Sequence, residues 1–249
     1  MNELYYRMIF KRKSFHIFKG IKTLSQTELS EIEKAFYGFE PLVGNTQVGI
    51  KIVPRRETSC PRGEYCLLLF SENKGNSLQN IGYLGEQLDL WLASRNIGVC
   101  WYGLGKTDQT QYNGLEFVMM LAIEKADEDE FRKDMFKSKR KPLEEIWIGN
   151  EYLSIANIVR FAPSSCNTQP WIVESSANKL LVYRYKKPGK RGMMPVNRVT
   201  FSNRIDMGIF ILFLDLCLAH ENIKFEKSLF ADCGDADDEK TLFAAYHIL

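Results

Sequence analysis

The chain has little of what would mark a secreted, metal-bound or polyanion-binding protein. Its 33 basic and 31 acidic residues leave a net charge of +2 over 249 residues, too weak a field to imply a nucleic-acid partner. There are three histidines, and the six cysteines, at 60, 66, 100, 166, 217 and 233, include no CxxC pair. Zinc spacing is therefore absent and no redox dithiol is suggested, so the expectation is reduced thiols and no metal. His16, His220 and His247 are scattered with no nucleophile pattern around them, which leaves hydrolase chemistry without support. No window approaches the ~18 uninterrupted apolar residues of a membrane span. The start, MNELYYRMIFKRKSFHIF, carries charges inside its apolar stretch and no small-residue cleavage site. The expectation is a cytoplasmic protein without a membrane or nucleic-acid partner.

What is present is a core. With 45% hydrophobic and 12% aromatic residues, the chain can bury enough surface to fold without disulfides. After a strand-like start, Ser25 to Phe36 has a capping-box spacing, with Ser25 as cap and Glu28 three residues on, and Leu29, Ile32 and Phe36 on one helical face. Gln47 to Val53, Cys66 to Phe70 and Phe117 to Ile123 read as strands. Leu78 to Asn96 is a helix apolar nearly all round, ending before Gly98. Asp127 to Lys137 reads as a charged surface helix. A helix from Glu151 reaches Phe161 and is stopped by Pro163, and a strand follows from Trp171 to Glu174.

The second half repeats the plan. At an offset of 126 residues, MGIFILFLDLCLAHENI (207–223) aligns with IGYLGEQLDLWLASRNI (81–97), with eight identities in seventeen positions. Leucines can coincide on any two apolar helices. Gly82/Gly208, Asp89/Asp215 and Asn96/Asn222 in one register are harder to obtain by chance. The reading is an α+β chain of two related halves, 1–138 and 139–249.

Four short stretches carry the candidate chemistry. Ala162 to Trp171, APSSCNTQPW, places Ser164, Ser165, Asn167 and Gln169 after Pro163 on a turn between helix and strand, a cluster of donors and acceptors suited to the edge of a planar heterocycle. Arg12-Lys13-Ser14 sets two cations beside a hydroxyl, which suits a phosphate. Trp101-Tyr102-Gly103-Leu104-Gly105 follows the first long helix, and its glycines let the backbone approach a flat ring. Lys139-Arg140-Lys141 precedes Pro142-Leu143-Glu144-Glu145.

Together these resemble the nitroreductase family. The APSxxNxQPW signature is matched at Ala162, Pro163, Ser164, Asn167, Gln169, Pro170 and Trp171, and Arg12-Lys13-Ser14 is similar to the family's RRS opening, with Phe18 as the following aromatic. Trp101 to Gly105 looks like the GLG loop, and Arg140 sits at the family's offset from Pro142. The signature turn arrives late, after Arg140, which resembles the branch in which one chain folds as a pseudo-dimer. That resemblance implies a nitroreductase-like fold and one FMN per chain, because the second half lacks a copy of Arg12-Lys13-Ser14.

It implies that Arg12, Lys13, Ser14, Lys139 and Arg140 bind the phosphate. Trp101 to Gly105 would lie on one ring face, and Pro163, Ser164, Ser165, Asn167 and Gln169 would meet the ring and ribityl chain. NAD(P)H would give hydride to the flavin, and a small electron acceptor such as a nitroaromatic, quinone or enone would take it. No side chain is assigned as a catalytic acid or base. The chain would be a monomeric pseudo-dimer or a weak homodimer. A non-enzymatic FMN-binding protein and a flavin-dependent oxidase or dehydrogenase share the same motifs. Residues 54–65 and 186–200 match no part of the pattern. Asp89 and Asp215 are expected to be buried structural contacts, Asp206 to favour the dipole in the first turn of the second long helix, and Cys166 to be an inert packing thiol.

Overall fold

The computed structural model describes residues 2–20, 22–185, 192–232 and 239–249. Residues 186–191 of the unmatched stretch, and Cys233, lie outside them. The chain divides into two compact units, Glu3–Met135 and Phe136–Leu249. The architecture is α+β in both.

The first unit opens with a helix, α1 (Asn2–Lys11), where a strand is expected from the sequence. Tyr5, Ile9 and Arg12 are buried while Glu3 and Arg7 are exposed. This is a helical period of three to four, and it overrides the aromatic and β-branched content that suggests a strand. The helix α2 (Gln26–Tyr37) has the predicted capping box, with Ser25 Oγ accepting from Glu28 N–H and the Glu28 carboxylate accepting from Ser25 N–H. Its Leu29, Ile32 and Phe36 are buried.

The strands β1 (Val48–Pro54) and β2 (Tyr65–Ser71) form an antiparallel hairpin. The long helix α3 (Ser77–Ser94) follows, then β3 (Ile97–Trp101), the short β4 (Gln111–Tyr112) and β5 (Leu115–Lys125). The sheet order is β1-β2-β5-β3, antiparallel throughout, with β4 beside β5. The surface helix expected over 127–137 is replaced by two 3₁₀ turns, Glu128–Glu130 and Met135–Lys137. Phe131 and Met135 are buried there, so the segment is pinned by its apolar residues instead of lying out in water as a charged helix.

The second unit contains α4 (Leu143–Ile146), β6 (Trp147–Ile148), α5 (Leu153–Val159), β7 (Trp171–Ser176), β8 (Lys179–Tyr185), the helix α6 (Val196–His220), β9 (Phe225–Leu229) and β10 (Lys240–Ile248). Its sheet order is β6-β7-β8-β10-β9. Apart from β6, which pairs parallel to β7, this is the plan of the first unit. A hairpin, a long helix and a second hairpin give the same order and the same antiparallel sense.

The identities found in sequence fall on equivalent structural devices. Asn96 and Asn222 both adopt left-handed backbone, with φ of 58° and 56°. Each N–H bonds back to the equivalent alanine carbonyl, Ala93 or Ala219, to close its helix. Asn suits this position because its short polar side chain tolerates the left-handed region. Among the described residues no helix is long and apolar enough to cross a membrane.

Candidate functional site

In the second unit, α5 ends at Val159, and Pro163 lies beyond its last bonded carbonyls. The next residues form a turn that the unit over-determines. Cys166, Asn167 and Gln169 hold φ of 50°, 56° and 49°. Left-handed backbone costs an L-residue about 1–2 kcal/mol each, so the surroundings must hold it in place. Ser164 Oγ accepts from Gln169 N–H at 3.0 Å, and Gln169 Oε1 accepts from Lys141 N–H at 2.9 Å. Lys141 Nζ donates to the Gln169 carbonyl at 3.1 Å, and Asn167 Nδ2 to the Lys139 carbonyl at 3.3 Å. The motif's last residue, Trp171, is fully buried and stacks on Phe210 of α6 at 4.7 Å. The turn is thus nailed at its end while Cys166 and Asn167 stay exposed. The exposure of Cys166 corrects the expectation of a packing thiol: the left-handed turn carries its side chain outward.

Beneath the turn lies a group whose role the sequence reading misplaces. Asp206 is not in the first turn of α6, which begins at Val196, but well inside the helix, and it is buried. Its Oδ1 accepts from Ser165 N–H at 3.0 Å and from Ser165 Oγ at 3.2 Å. Its Oδ2 lies 3.5 Å from Thr168 Oγ1, which in turn donates to Asn203 Oδ1 at 3.2 Å. Burial lifts the Asp206 carboxyl to about 7, against the lowering effect of the Ser165 and Thr168 hydrogen bonds. In its protonated state the carboxyl O–H can donate to Thr168, continuing the relay to Asn203.

The predicted basic run falls beside the turn. Arg140 donates from Nη2 to the Phe161 carbonyl at 3.0 Å and from Nη1 to the Lys139 carbonyl at 2.8 Å, while Lys139 is exposed. Lys139, Arg140, Pro163, Ser164, Ser165, Asn167 and Gln169 are therefore one neighbourhood. Lys141 and Trp171 also line an open cavity of about 700 Å³, with Tyr185 and Lys240 among its other walls. Burial lowers the Lys141 ammonium pKa.

In the first unit the residues divide. Arg12 is sunk in the interior at 2% exposure, its Nη2 2.8 Å from Asp89 Oδ2 and its Nε 3.5 Å from Glu86 Oε1. Trp101 Nε1 donates to the same Asp89 oxygen at 3.1 Å, and the Trp101 ring fills the space a Cβ would take at Gly85. Burial raises the Glu86 and Asp89 carboxyls above the usual carboxylate range in spite of Arg12. Arg132 is lowered to about 10 by burial and by the Arg12 charge. Asp89 is thus the buried structural contact expected. Asp215, its equivalent, is only partly buried, which corrects the expectation at that position, and it accepts from Lys227 Nζ at 2.6 Å and Tyr246 Oη at 2.7 Å.

Lys13 and Ser14 are half-buried at the surface above Arg12, and Ser14 is bridged to Val99 of β3. The loop after β3 leaves Leu104 exposed and the Gly103 backbone open on one side, whereas Gly105 is closed against the Met120 sulfur. Tyr102 sits under the Arg62 guanidinium, 5.5 Å from its ring centre. Among the described residues no group of His, Cys, Asp and Glu is arranged to hold a metal ion.

Residues 4–217 match the family described as "Putative TM nitroreductase". The chain belongs to that family. Among solved structures, it is similar to a putative nitroreductase from Thermotoga maritima, at 14% identity and a TM-score of 0.61, covering 98% of this chain and 92% of that one. At that identity the likeness shows the fold, which is nitroreductase-like. No functionally curated protein matches the chain. Membership of the nitroreductase family supports a general oxidoreductase role.

Proposed function

We propose that the chain is an FMN-dependent oxidoreductase that takes hydride from NAD(P)H and delivers it to a small electrophilic acceptor such as a nitroaromatic, quinone or enone. The observation that carries this reading is the Ser164–Gln169 turn: strained, braced from below by Asp206, and presenting Asn167 and Cys166 outward. Strain held in place by its surroundings clusters at ligand clamps and active sites, and this turn is the family's signature stretch.

The residues fit a flavin mononucleotide unit by unit. In the second unit Lys139 and Arg140 supply cations for a phosphate, and Ser165 and Asn167, with the Pro163-Ser164 backbone, supply polar contacts to a heterocycle edge or polyol, while the buried Gln169 amide, bonded to Lys141 N–H and the Asn167 carbonyl, braces the turn. In the first unit Lys13 and Ser14 supply a cation and a hydroxyl, and Trp101 to Gly105 supplies backbone that can approach a flat ring at Gly103. Arg12 has its guanidinium committed to Asp89 and Glu86, so its part is to hold Lys13 and Ser14 in place. FMN, when bound, supplies the two-electron hydride chemistry; the protein supplies binding, orientation and exclusion of water. No side chain is required as an obligatory acid or base. One FMN per chain, a monomeric pseudo-dimer or weak homodimer, and a cytoplasmic setting complete the proposal.

The test is the visible absorption spectrum of the purified protein before and after anaerobic addition of reduced nicotinamide. A flavin spectrum that bleaches supports the proposal. A flavin that persists with both NADH and NADPH overturns the nicotinamide reading, and a colourless protein that fails to reconstitute with FMN overturns the whole.

A further inference from the structure

The spacing of the cysteines suggests no dithiol, yet the fold makes one. The loop between β1 and β2 doubles back over its own hairpin. Arg55 N–H bonds to the Glu64 carbonyl, and Glu64 N–H bonds to the Ile123 carbonyl. Gly63, at φ +70°, passes so close to Ile123 that a Cβ would stand 2.7 Å from its carbonyl oxygen. This turn carries Cys60 back towards Cys66, and the two residues share Thr58 as a neighbour within one buried cluster.

Thr58 completes the arrangement. Its hydroxyl lies 3.4 Å from Cys66 Sγ and accepts from Cys60 N–H at 3.1 Å. Arg62 reaches over the group to donate to Cys100 Sγ at 3.4 Å. The loop is strapped at one side, where Ser59 N–H bonds to the Lys106 carbonyl and Lys106 N–H to Ser59 Oγ.

We propose that Cys60 and Cys66 are a thiol–disulfide redox site, with Cys60 the attacking sulfur, Cys66 the resolving one, and hydrogen peroxide or a related peroxide the oxidant. The placement of the two sulfurs assigns these roles, and their electrostatics agree. At rest Cys60 Sγ donates to the Arg62 carbonyl at 3.8 Å; the neighbouring Cys66 thiol and the Arg62 and Arg55 charges favour a thiolate on Cys60, and burial opposes them. The neighbouring Cys60 sulfur and burial push the Cys66 thiol up, so it keeps its proton until the second step. Cys60 sits on a loop whose neighbours Arg55, Arg56, Glu57, Ser59 and Pro61 are exposed, whereas Cys66 is fixed in β2. Cys60 is itself buried, so reaction waits on local opening of the loop, the kind of low-cost excursion that strand interiors do not make.

The steps balance. The Cys60 thiolate attacks one peroxide oxygen, the O–O bond breaks, and hydroxide leaves with the electron pair and takes up a proton as water, leaving a sulfenic acid. The Cys66 sulfur then attacks the Cys60 sulfur. The S–S bond forms, the S–O bond breaks, and the Cys66 proton leaves with the hydroxyl as a second water. Two thiols lose two electrons and one peroxide is reduced.

The experiment treats the full-length protein with a small excess of hydrogen peroxide, alkylates it, and maps tryptic peptides. Cleavage after Arg62 separates the two cysteines, so a disulfide appears as a joined pair of peptides. The expected result is a loss of two free thiols and joined Cys60 and Cys66 peptides. In Cys66→Ser, Cys60 should instead be trapped as a dimedone adduct, and Cys100→Ser should leave the joined peptides unchanged. The proposal is overturned if Cys60 and Cys66 both remain alkylatable once the exposed Cys166 has been oxidised, if Cys60 is found joined to Cys100, or if dimedone labels a different cysteine in Cys66→Ser. Should Cys66→Ser not fold, the mapping of the unmutated protein decides alone.

Discussion

Asp206 offers a prediction whose sign and size both follow from its surroundings. Its carboxyl is buried inside α6 and lifted from an ordinary 3.8 to about 7. The folded state therefore holds the proton more tightly than the unfolded chain does. Stability from this group is fully present below about pH 4 and is lost as pH rises through 7, by roughly 1.4 kcal/mol per pH unit over that interval. A shift of that size amounts to about 4 kcal/mol in all. Asp206→Asn should abolish the titration while keeping the architecture. The amide oxygen can accept from Ser165 N–H and Oγ, and the amide N–H can donate to Thr168 as the protonated acid does. Urea unfolding of the two proteins, followed by tryptophan fluorescence, should give nearly equal stabilities below about pH 4. The variant should be ahead by roughly 1.5 kcal/mol at pH 5 and roughly 4 kcal/mol by pH 8. A difference that stays constant across this range, or shrinks as pH rises, refutes the argument that burial dominates the three hydrogen bonds.

Other outcomes follow from the same geometry. Arg12→Ala strands Asp89 and Glu86 in the interior, and thermal unfolding should report a loss of about 3–5 kcal/mol. Lys13→Ala combined with Arg140→Ala should instead lower FMN occupancy after purification, read from the ratio of flavin to protein absorbance; full occupancy in the double variant would remove both from the phosphate contact. Gly63→Ala should cost more than the ~1–2 kcal/mol of left-handed backbone alone, because its Cβ would also meet the Ile123 carbonyl; an unchanged midpoint would contradict the close approach. Asn222→Ala should lose about 1 kcal/mol in the same assay, and Asn222→Gly should lose none.

Elements with strong local signals were legible in the sequence. The capping box at Ser25 and Glu28, the apolar strands and the first long helix needed only periodicity and end signals, and the second long helix was found through its likeness to the first. The two errors of secondary structure share a cause. At the N-terminus and over 127–137 the decisive information is which residues a neighbouring surface buries. Tyr5, Ile9, Phe131 and Met135 take their places against partners distant in sequence. The signature turn was legible because its chemistry is contiguous, from Ser164 to Trp171. Asp206 was misplaced because its partner Ser165 lies 41 residues away, and the long helix begins earlier than its apolar stretch suggests. The thiol cluster was illegible for the same reason: no spacing rule links Cys60, Cys66 and Cys100, which only the hairpin and β3 bring together.

The repeat shows where the limit of such reading lies. Asp89 and Asp215 occupy the same helical position, and that much is written in the alignment of the two halves. Their partners are not. Asp89 is held by Arg12 from the segment before the sheet and by Trp101 from the strand after the helix. Asp215 is held by Lys227 and Tyr246, both from the hairpin after it. A carboxylate drawn from water onto an apolar helix, fully at Asp89 and in part at Asp215, needs compensating donors, so the position is constrained in both halves, while the source of the donors is free to differ. That freedom lets Arg12 be drawn inward in the first unit, setting Lys13 and Ser14 at the surface. The second unit meets the same requirement without any N-terminal cation, and its polar residues before the sheet remain available for the Ser164–Gln169 turn.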